Sequence, residues 1–86
     1  RYGSDHILDY IELDEDYSIF ELDVPSEWSG KTVIQLDVRK KYGINVLAVR
    51  ERGKLKMNIT PDTMLFRGSS ILILGQPKAV HKCFKV

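Results

Sequence analysis

Phe20, Leu22 and Val24 alternate with Glu21 and Asp23, and Pro25 follows at once. Successive side chains of a strand point to opposite faces, so this pattern calls for a sheet with one face buried and the other in water. Proline cannot donate to the ladder and ends the strand. The rest of the chain supplies candidates to pair with it. Ile7 to Leu13 reads as an extended arm, with Ile7, Ile11 and Leu13 on one face and Leu8 and Tyr10 making the other face apolar too. Asp14-Glu15-Asp16 is a turn between these two. Ile44 to Val49 is nearly all apolar and suits a strand buried on both faces. Glu51-Arg52-Gly53-Lys54 reads as a hairpin turn, with Leu55 to Ile59 returning as the partner strand. After the turns at Thr60-Pro61-Asp62-Thr63 and Arg67-Gly68-Ser69, Ser70 to Leu74 is a strand closed by Gly75.

Two segments read as helices. The first begins near Lys31 and runs to Tyr42, with Ser29 or Gly30 as cap and Gly43 as the left-handed stop. The second, Lys78 to Phe84, has Pro77 at its first position and places Val80 and Phe84 on one face. The class expected is α+β: a small single domain of about five strands with two helices. At 86 residues there is room for one modest core. Residues 1–6 read as a linker or expression remnant, and residues 7–86 as the domain.

Composition removes several classes. Hydrophobic residues are 43% and charged residues 29%, an ordinary globular balance. No apolar run approaches the roughly 18 residues of a membrane span, and the acidic N-terminus is unlike a secretory signal. The single cysteine, Cys83, excludes an internal disulfide and a multi-cysteine zinc site, and fits a reducing compartment. These features point to a cytoplasmic module of something larger.

Charge is balanced overall but not along the chain. Residues 1–30 hold nine acids and one base, while residues 31–86 hold twelve bases against Asp37, Glu51 and Asp62. Either the halves neutralise each other in the fold, or a basic face attracts an anion. The bases are dispersed and no motif places a helix or aromatic platform on DNA or RNA, so no nucleic acid polymer is expected as a partner.

No enzymatic constellation is apparent. Gly30-Lys31-Thr32 resembles the tail of a phosphate loop, but the required earlier glycine is replaced by Pro25 and Trp28 intervenes. His6, His81 and Cys83 are the only soft ligands, and Asp14-Glu15-Asp16 lacks the spacing of a calcium loop, so no metal site is assigned. A divalent-cation sensor built on the N-terminal acids stands as a distant third reading. Neither histidine sits in a nucleophile context, and Cys83 reads as a small core residue. The chain is therefore not expected to be an enzyme.

The first helix carries more information. Val33 and Leu36 form one apolar stripe, and Ile34, Val38 and Tyr42 form a second on a different side. One core needs one stripe. The second implies either a wide buried arc or a partner surface, and a symmetric dimer is the favoured reading.

The stretch from Gly30 to Val49, with its Leu36-Asp37-Val38-Arg39 and Gly43-Ile44-Asn45-Val46, resembles the C-terminal lobe of regulator-of-potassium-conductance proteins, also called the TrkA-C domain. The charged hairpin at 50–54, the Pro61-Asp62-Thr63 turn and Gly68 before the Ile71–Gly75 strand continue the pattern, so it covers about residues 18–84. It is most similar to that of regulatory subunits of Ktr-type potassium transporters. The resemblance implies an α+β lobe that forms a homodimer. It implies a preceding Rossmann-like lobe in the parent subunit and a membrane potassium transporter as partner, with the whole cytoplasmic and peripheral to the membrane. In some members the lobe binds cyclic di-AMP, a regulatory ligand rather than a catalytic cofactor, across the dimer interface. Carried over by position, the ligand-binding residues are Val33, Ile34, Asp37, Val38, Arg39, Asn45, Val46 and Pro61. Arg39 would pair with phosphate. Asn45 would fix a base or phosphate edge, and Ile34, Val38, Val46 and Pro61 would form apolar walls. The alternative is a ligand-free dimerisation lobe, with Arg39 a helix-end cation and Asn45 a turn residue.

Overall fold

A computed structural model describes residues 6–86; the expected linker at residues 1–6 lies almost wholly outside them. Five antiparallel strands form one sheet: β1 (Ile7–Glu12), β2 (Ser18–Asp23), β3 (Asn45–Glu51), β4 (Lys54–Lys56) and β5 (Ser70–Gly75), in the order β1-β2-β5-β3-β4. Three α-helical segments are α1 (Val33–Leu36), α2 (Val38–Tyr42) and α3 (Pro77–Phe84), and a short 3-10 turn spans Ser26–Trp28. The α+β class and the five strands are those expected.

The alternation in β2 does what its chemistry requires. Phe20 lies opposite Ile73 and Leu22 opposite Ile71, and across β5 these rows continue to Val46 and Val49. Phe20, Leu22, Ile71, Ile73 and Val49 are buried together with Val38, Val80 and Phe84, so α2 and α3 cover this face. Fully burying an aliphatic or aromatic side chain contributes roughly 1.5–3 kcal/mol, so these residues supply most of the drive to fold. Gly75 is needed where β5 meets this layer. A Cβ there would lie 3.1 Å from Ile44 and 3.3 Å from Val80. Cys83 is a core residue, and burial pushes its thiol pKa up to about 11.

Four expectations need correction. The first helix is not continuous: Asp37 adopts left-handed backbone angles (φ 51°, ψ 40°) and divides α1 from α2. Its cap is Thr32 rather than Ser29 or Gly30, in a reciprocal box with Gln35. The returning strand is only Lys54–Lys56, because Met57 to Ile59 leaves the sheet. Ile7 and Ile11 do not share a face. A bulge between Ile7 and Asp9 puts Ile7 opposite Leu22 on the core side and Ile11 opposite Ile19 on the other. The hairpin turn is as expected: Arg52 (φ 52°) and Gly53 (φ 76°) both take positive φ, the geometry of a two-residue hairpin loop.

The charge asymmetry of the sequence becomes an asymmetry of the sheet. The acid-bearing β1 and β2 lie at one edge and the basic β3–β4 hairpin at the other. Glu21 and Arg50 join the two sides through a 2.8 Å Arg Nε to Glu Oε2 contact on the face away from the helices.

A cleft at the broken helix

The break at Asp37 shapes a cleft of about 280 Å3. α1 contributes Val33 and Ile34, the junction Asp37, and α2 Val38 and Arg39. Ile44, Asn45 and Val46 enter from the start of β3, and Ile59, Thr60 and Pro61 close the far side. All eight residues carried over from the sequence pattern thus meet in one place. Three lining residues, Ile44, Ile59 and Thr60, were not anticipated. The sequence pattern reads Ile59 as part of a regular strand, and only its place two residues before Pro61 hints at the cleft.

Local hydrogen bonds explain how these elements come together. β4 pairs only with Val49 to Glu51, so the outer edge of β3 from Asn45 to Ala48 takes no partner from β4. The chain after β4 swings over towards α1. There the Ile34 amide donates to Pro61 O at 2.9 Å and the Val33 amide to Thr63 O at 2.9 Å. Thr63 Oγ1 accepts from the Thr60 amide at 2.9 Å, which tightens the turn. The loop therefore satisfies the first orphan donors of the helix while the helix fixes the loop.

The broken helix also changes its apolar stripes. Val38 is 5% exposed and packs in the core, with Tyr42 partly buried beside it. Ile34, expected on the same stripe, is 57% exposed at the rim of the cleft. The left-handed residue rotates α2 out of phase with α1, so one sequence stripe serves two surfaces. Arg39 stands exposed on the first turn of α2, and Asn45 is half-buried at the cleft floor. The cleft offers an aliphatic lining, one guanidinium, one carboxylate and one carboxamide.

Two larger concavities lie elsewhere. One, of about 640 Å3, runs between Pro25–Trp28 and the C-terminus. The other, of about 720 Å3, is bounded largely by charges of the β3–β4 hairpin and Arg67. The first mixes Leu22, Val24, Trp28, Leu36 and Phe84 with charged groups, but it holds none of the eight residues carried over from the sequence pattern, and neither does the second. Among the described residues no group of three or more His, Cys, Asp or Glu is placed to hold a metal ion, and no helix is long and apolar enough to cross a membrane.

Known proteins resemble this chain in sequence and in fold. The Ktr system potassium uptake protein A of Bacillus subtilis (strain 168) is 31% identical over 80 residues, covering 93% of this chain and 36% of that protein. Protein C of the same system and organism is 47% identical over 72 residues, covering 84% and 33%. The chain thus spans about a third of the length of these relatives. Among solved structures, the RCK C domain of the potassium transport protein KtrA, in complex with cyclic diadenosine monophosphate, superposes with a TM-score of 0.75. It is 28% identical, with 80% of this chain and 81% of that one covered. Residues 17–86 match the TrkA-C domain, and the chain belongs to that family.

Proposed function

We propose that this chain is a ligand-sensing regulatory lobe of a potassium transport system, which binds cyclic di-AMP between two copies of itself. The observation that carries this reading is the convergence of Val33, Ile34, Asp37, Val38, Arg39, Asn45, Val46 and Pro61 on one half-open cleft beside an exposed isoleucine. At about 280 Å3 the cleft falls just below the ~300–1,000 Å3 of a complete small-molecule site. It suits half of a symmetric dinucleotide. A second copy related by a two-fold axis supplies the other half with the same residues, and Ile34 is the natural apolar contact between the copies.

Each group has a task in this site. Arg39 pairs with a phosphate, Asn45 donates to or accepts from a base or phosphate edge, and the aliphatic walls hold the adenine ring. Asp37 accepts from an exocyclic amine. In this reading the chain belongs to a longer parent subunit, in which the preceding Rossmann-like lobe implied by the family resemblance transmits the dimer's state to a membrane potassium transporter; the relatives, of which the chain covers about a third, support a longer parent. Ligand control requires cyclic di-AMP to prefer one dimer geometry, with a coupling typically of ~1–3 kcal/mol.

Calorimetric titration of cyclic di-AMP into the 86-residue chain tests the proposal, with cyclic di-GMP as control. The expected result is saturation at one ligand per two chains. Arg39→Ala removes a charge-assisted bond of ~1.5–3 kcal/mol from each of the two copies, ~3–6 kcal/mol per ligand, and so weakens binding by roughly 150-fold or more. No saturable heat together with an intact dimer would leave a ligand-free dimerisation lobe.

A further inference from the structure

The register of the β3–β4 hairpin puts Glu51 opposite Lys54 and Val49 opposite Lys56. Side chains alternate along a strand, so Glu51, Lys54 and Lys56 share the side of Val49, which the helices cover further along the sheet. No residue of α1, α2 or α3 borders this end. Glu51, Lys54 and Lys56, with Arg52, Phe66 and Arg67, instead line the open concavity of about 720 Å3. Its walls carry four cations and one carboxylate, a net charge of +3, on a chain whose net charge is +1. The positive surplus is therefore local to this site. The carboxylate, Glu51, pairs with Lys56. Among the described residues Arg52, Lys54 and Arg67 have no carboxylate partner, and all three are exposed.

Arg52 also occupies a costly place. It is the first central residue of a two-residue loop in which both residues take positive φ. Asparagine, aspartate and glycine suit that position, whereas a long side chain pays for its Cβ there. Arg52 recovers nothing through an ion pair, so its presence points to a task for the guanidinium. We infer that this concavity is a second ligand site, which binds a small, multiply charged phosphate compound. Its volume lies within the range of small-molecule sites. Exposed Phe66 gives it one apolar wall, and a cavity of one charge sign beside a low-dielectric wall focuses its field on an anion. Arg52 and Arg67 each offer a planar fork to phosphate oxygens, and Lys54 adds a point charge. The cations line a hollow, which suits a soluble ion better than the flat headgroup layer of a membrane. The site shares no residue with the cleft at the broken helix. It therefore takes one ligand per chain, whatever the cleft binds.

Calorimetric titration of inorganic tripolyphosphate into the 86-residue chain tests the inference. Saturation at one ion per chain is expected, with binding that weakens as salt rises. Arg52→Asn is the informative variant, because asparagine suits the positive φ while removing the cation. It is expected to melt no lower than the parent chain and yet to bind at least about 10-fold more weakly. Arg67→Gln is expected to weaken binding to a similar degree. Arg39→Ala, in the cleft, and Lys78→Ala, exposed on α3, are expected to leave it within about 2-fold. Absence of saturation overturns the inference. So does an equal loss in Lys78→Ala and Arg52→Asn, since diffuse attraction to a basic surface would then be responsible. Retention of the chain on phosphatidylserine vesicles, lost in Arg52→Asn, would assign these cations to a membrane surface and overturn it as well.

Discussion

Asp37 can be read in two ways that predict opposite orders of stability. In the interior of a continuous helix, alanine is favoured over glycine by about 1 kcal/mol. At a left-handed position the order inverts. A side chain with a Cβ costs about 1–2 kcal/mol there, while glycine loses only about 0.4–1 kcal/mol through the greater freedom of its unfolded chain. With φ at 51° and ψ at 40°, Asp37 falls in the second case. Asp37→Gly is therefore expected to be up to about 1.6 kcal/mol more stable than Asp37→Ala. For a domain of 86 residues, 1 kcal/mol moves the midpoint of thermal unfolding by about 4–8 °C. Both variants lose the same carboxylate, so the comparison isolates the backbone. Thermal melts followed by circular dichroism, with urea titration as a second measure, read the difference. An alanine variant that melts above the glycine variant would show that the chain runs helical through position 37, and the account of the cleft would fall with it.

Other consequences are open to direct measurement. Gly75→Ala places a Cβ 3.1 Å from Ile44 and 3.3 Å from Val80, and this overpacking is expected to cost about 1–3 kcal/mol in urea unfolding. Ile44→Ala, at a fully buried site, is expected to cost about 2–5 kcal/mol and to disturb the cleft that Ile44 also lines. Hydrogen bonding to Arg50 holds the Glu21 carboxyl below its usual value of 4.5. Because the folded pKa is the lower one, this stabilisation is fully present above pH 4.5 and is lost as pH falls through the folded value. Glu21→Gln should flatten that acid limb of the stability profile. The Cys83 thiol, at a pKa of about 11, should react with a disulfide reagent at pH 8 at least roughly 100-fold more slowly than a free cysteine, and a comparable rate would place it outside the core.

Much of this fold was legible because its signals were local and redundant. The alternation in β2, the turn residues Arg52 and Gly53, the stop at Gly43 and the proline opening α3 each have a physical cause within a few residues. The helix break had no such signal. Asp37 is flanked by Leu36 and Val38 in a pattern that keeps helical spacing, and no glycine or proline marks the junction. What breaks the helix is tertiary: the loop from Ile59 to Thr63 claims the amides at one end, while Val38 is drawn into the core at the other. The short β4 was hidden for a similar reason. Nothing in Met57 to Ile59 forbids a strand, but the tie between α1 and Pro61 pulls the segment off the sheet. The bulge before Asp9 likewise left no mark in the apolar pattern of β1, and one inserted residue reversed the faces of Ile7 and Ile11.

The same hydrogen bonds decide how an anion can be held here. Five consecutive amides approach the start of α1, in the sequence that resembles a phosphate loop. Gly30 donates to Leu65 O at 2.8 Å and Lys31 to Trp28 O at 3.0 Å. Thr32 donates to Gln35 Oε1 at 2.8 Å, Val33 to Thr63 O at 2.9 Å and Ile34 to Pro61 O at 2.9 Å. A phosphate cradle needs such donors to be free to point at the ligand, and all five already have acceptors within the chain. Wrapping a phosphate with this backbone would require breaking the bonds that position the cleft. Recognition must then come from side chains, and Arg39 is the cation that lines the cleft. An arginine presents a planar fork with two parallel donors to phosphate, whereas lysine offers a point charge. Arg39→Lys should therefore retain the charge yet recover only part of the affinity lost in Arg39→Ala. Full recovery would mean that long-range attraction suffices, and that the fork geometry at the helix break is not what the ligand reads.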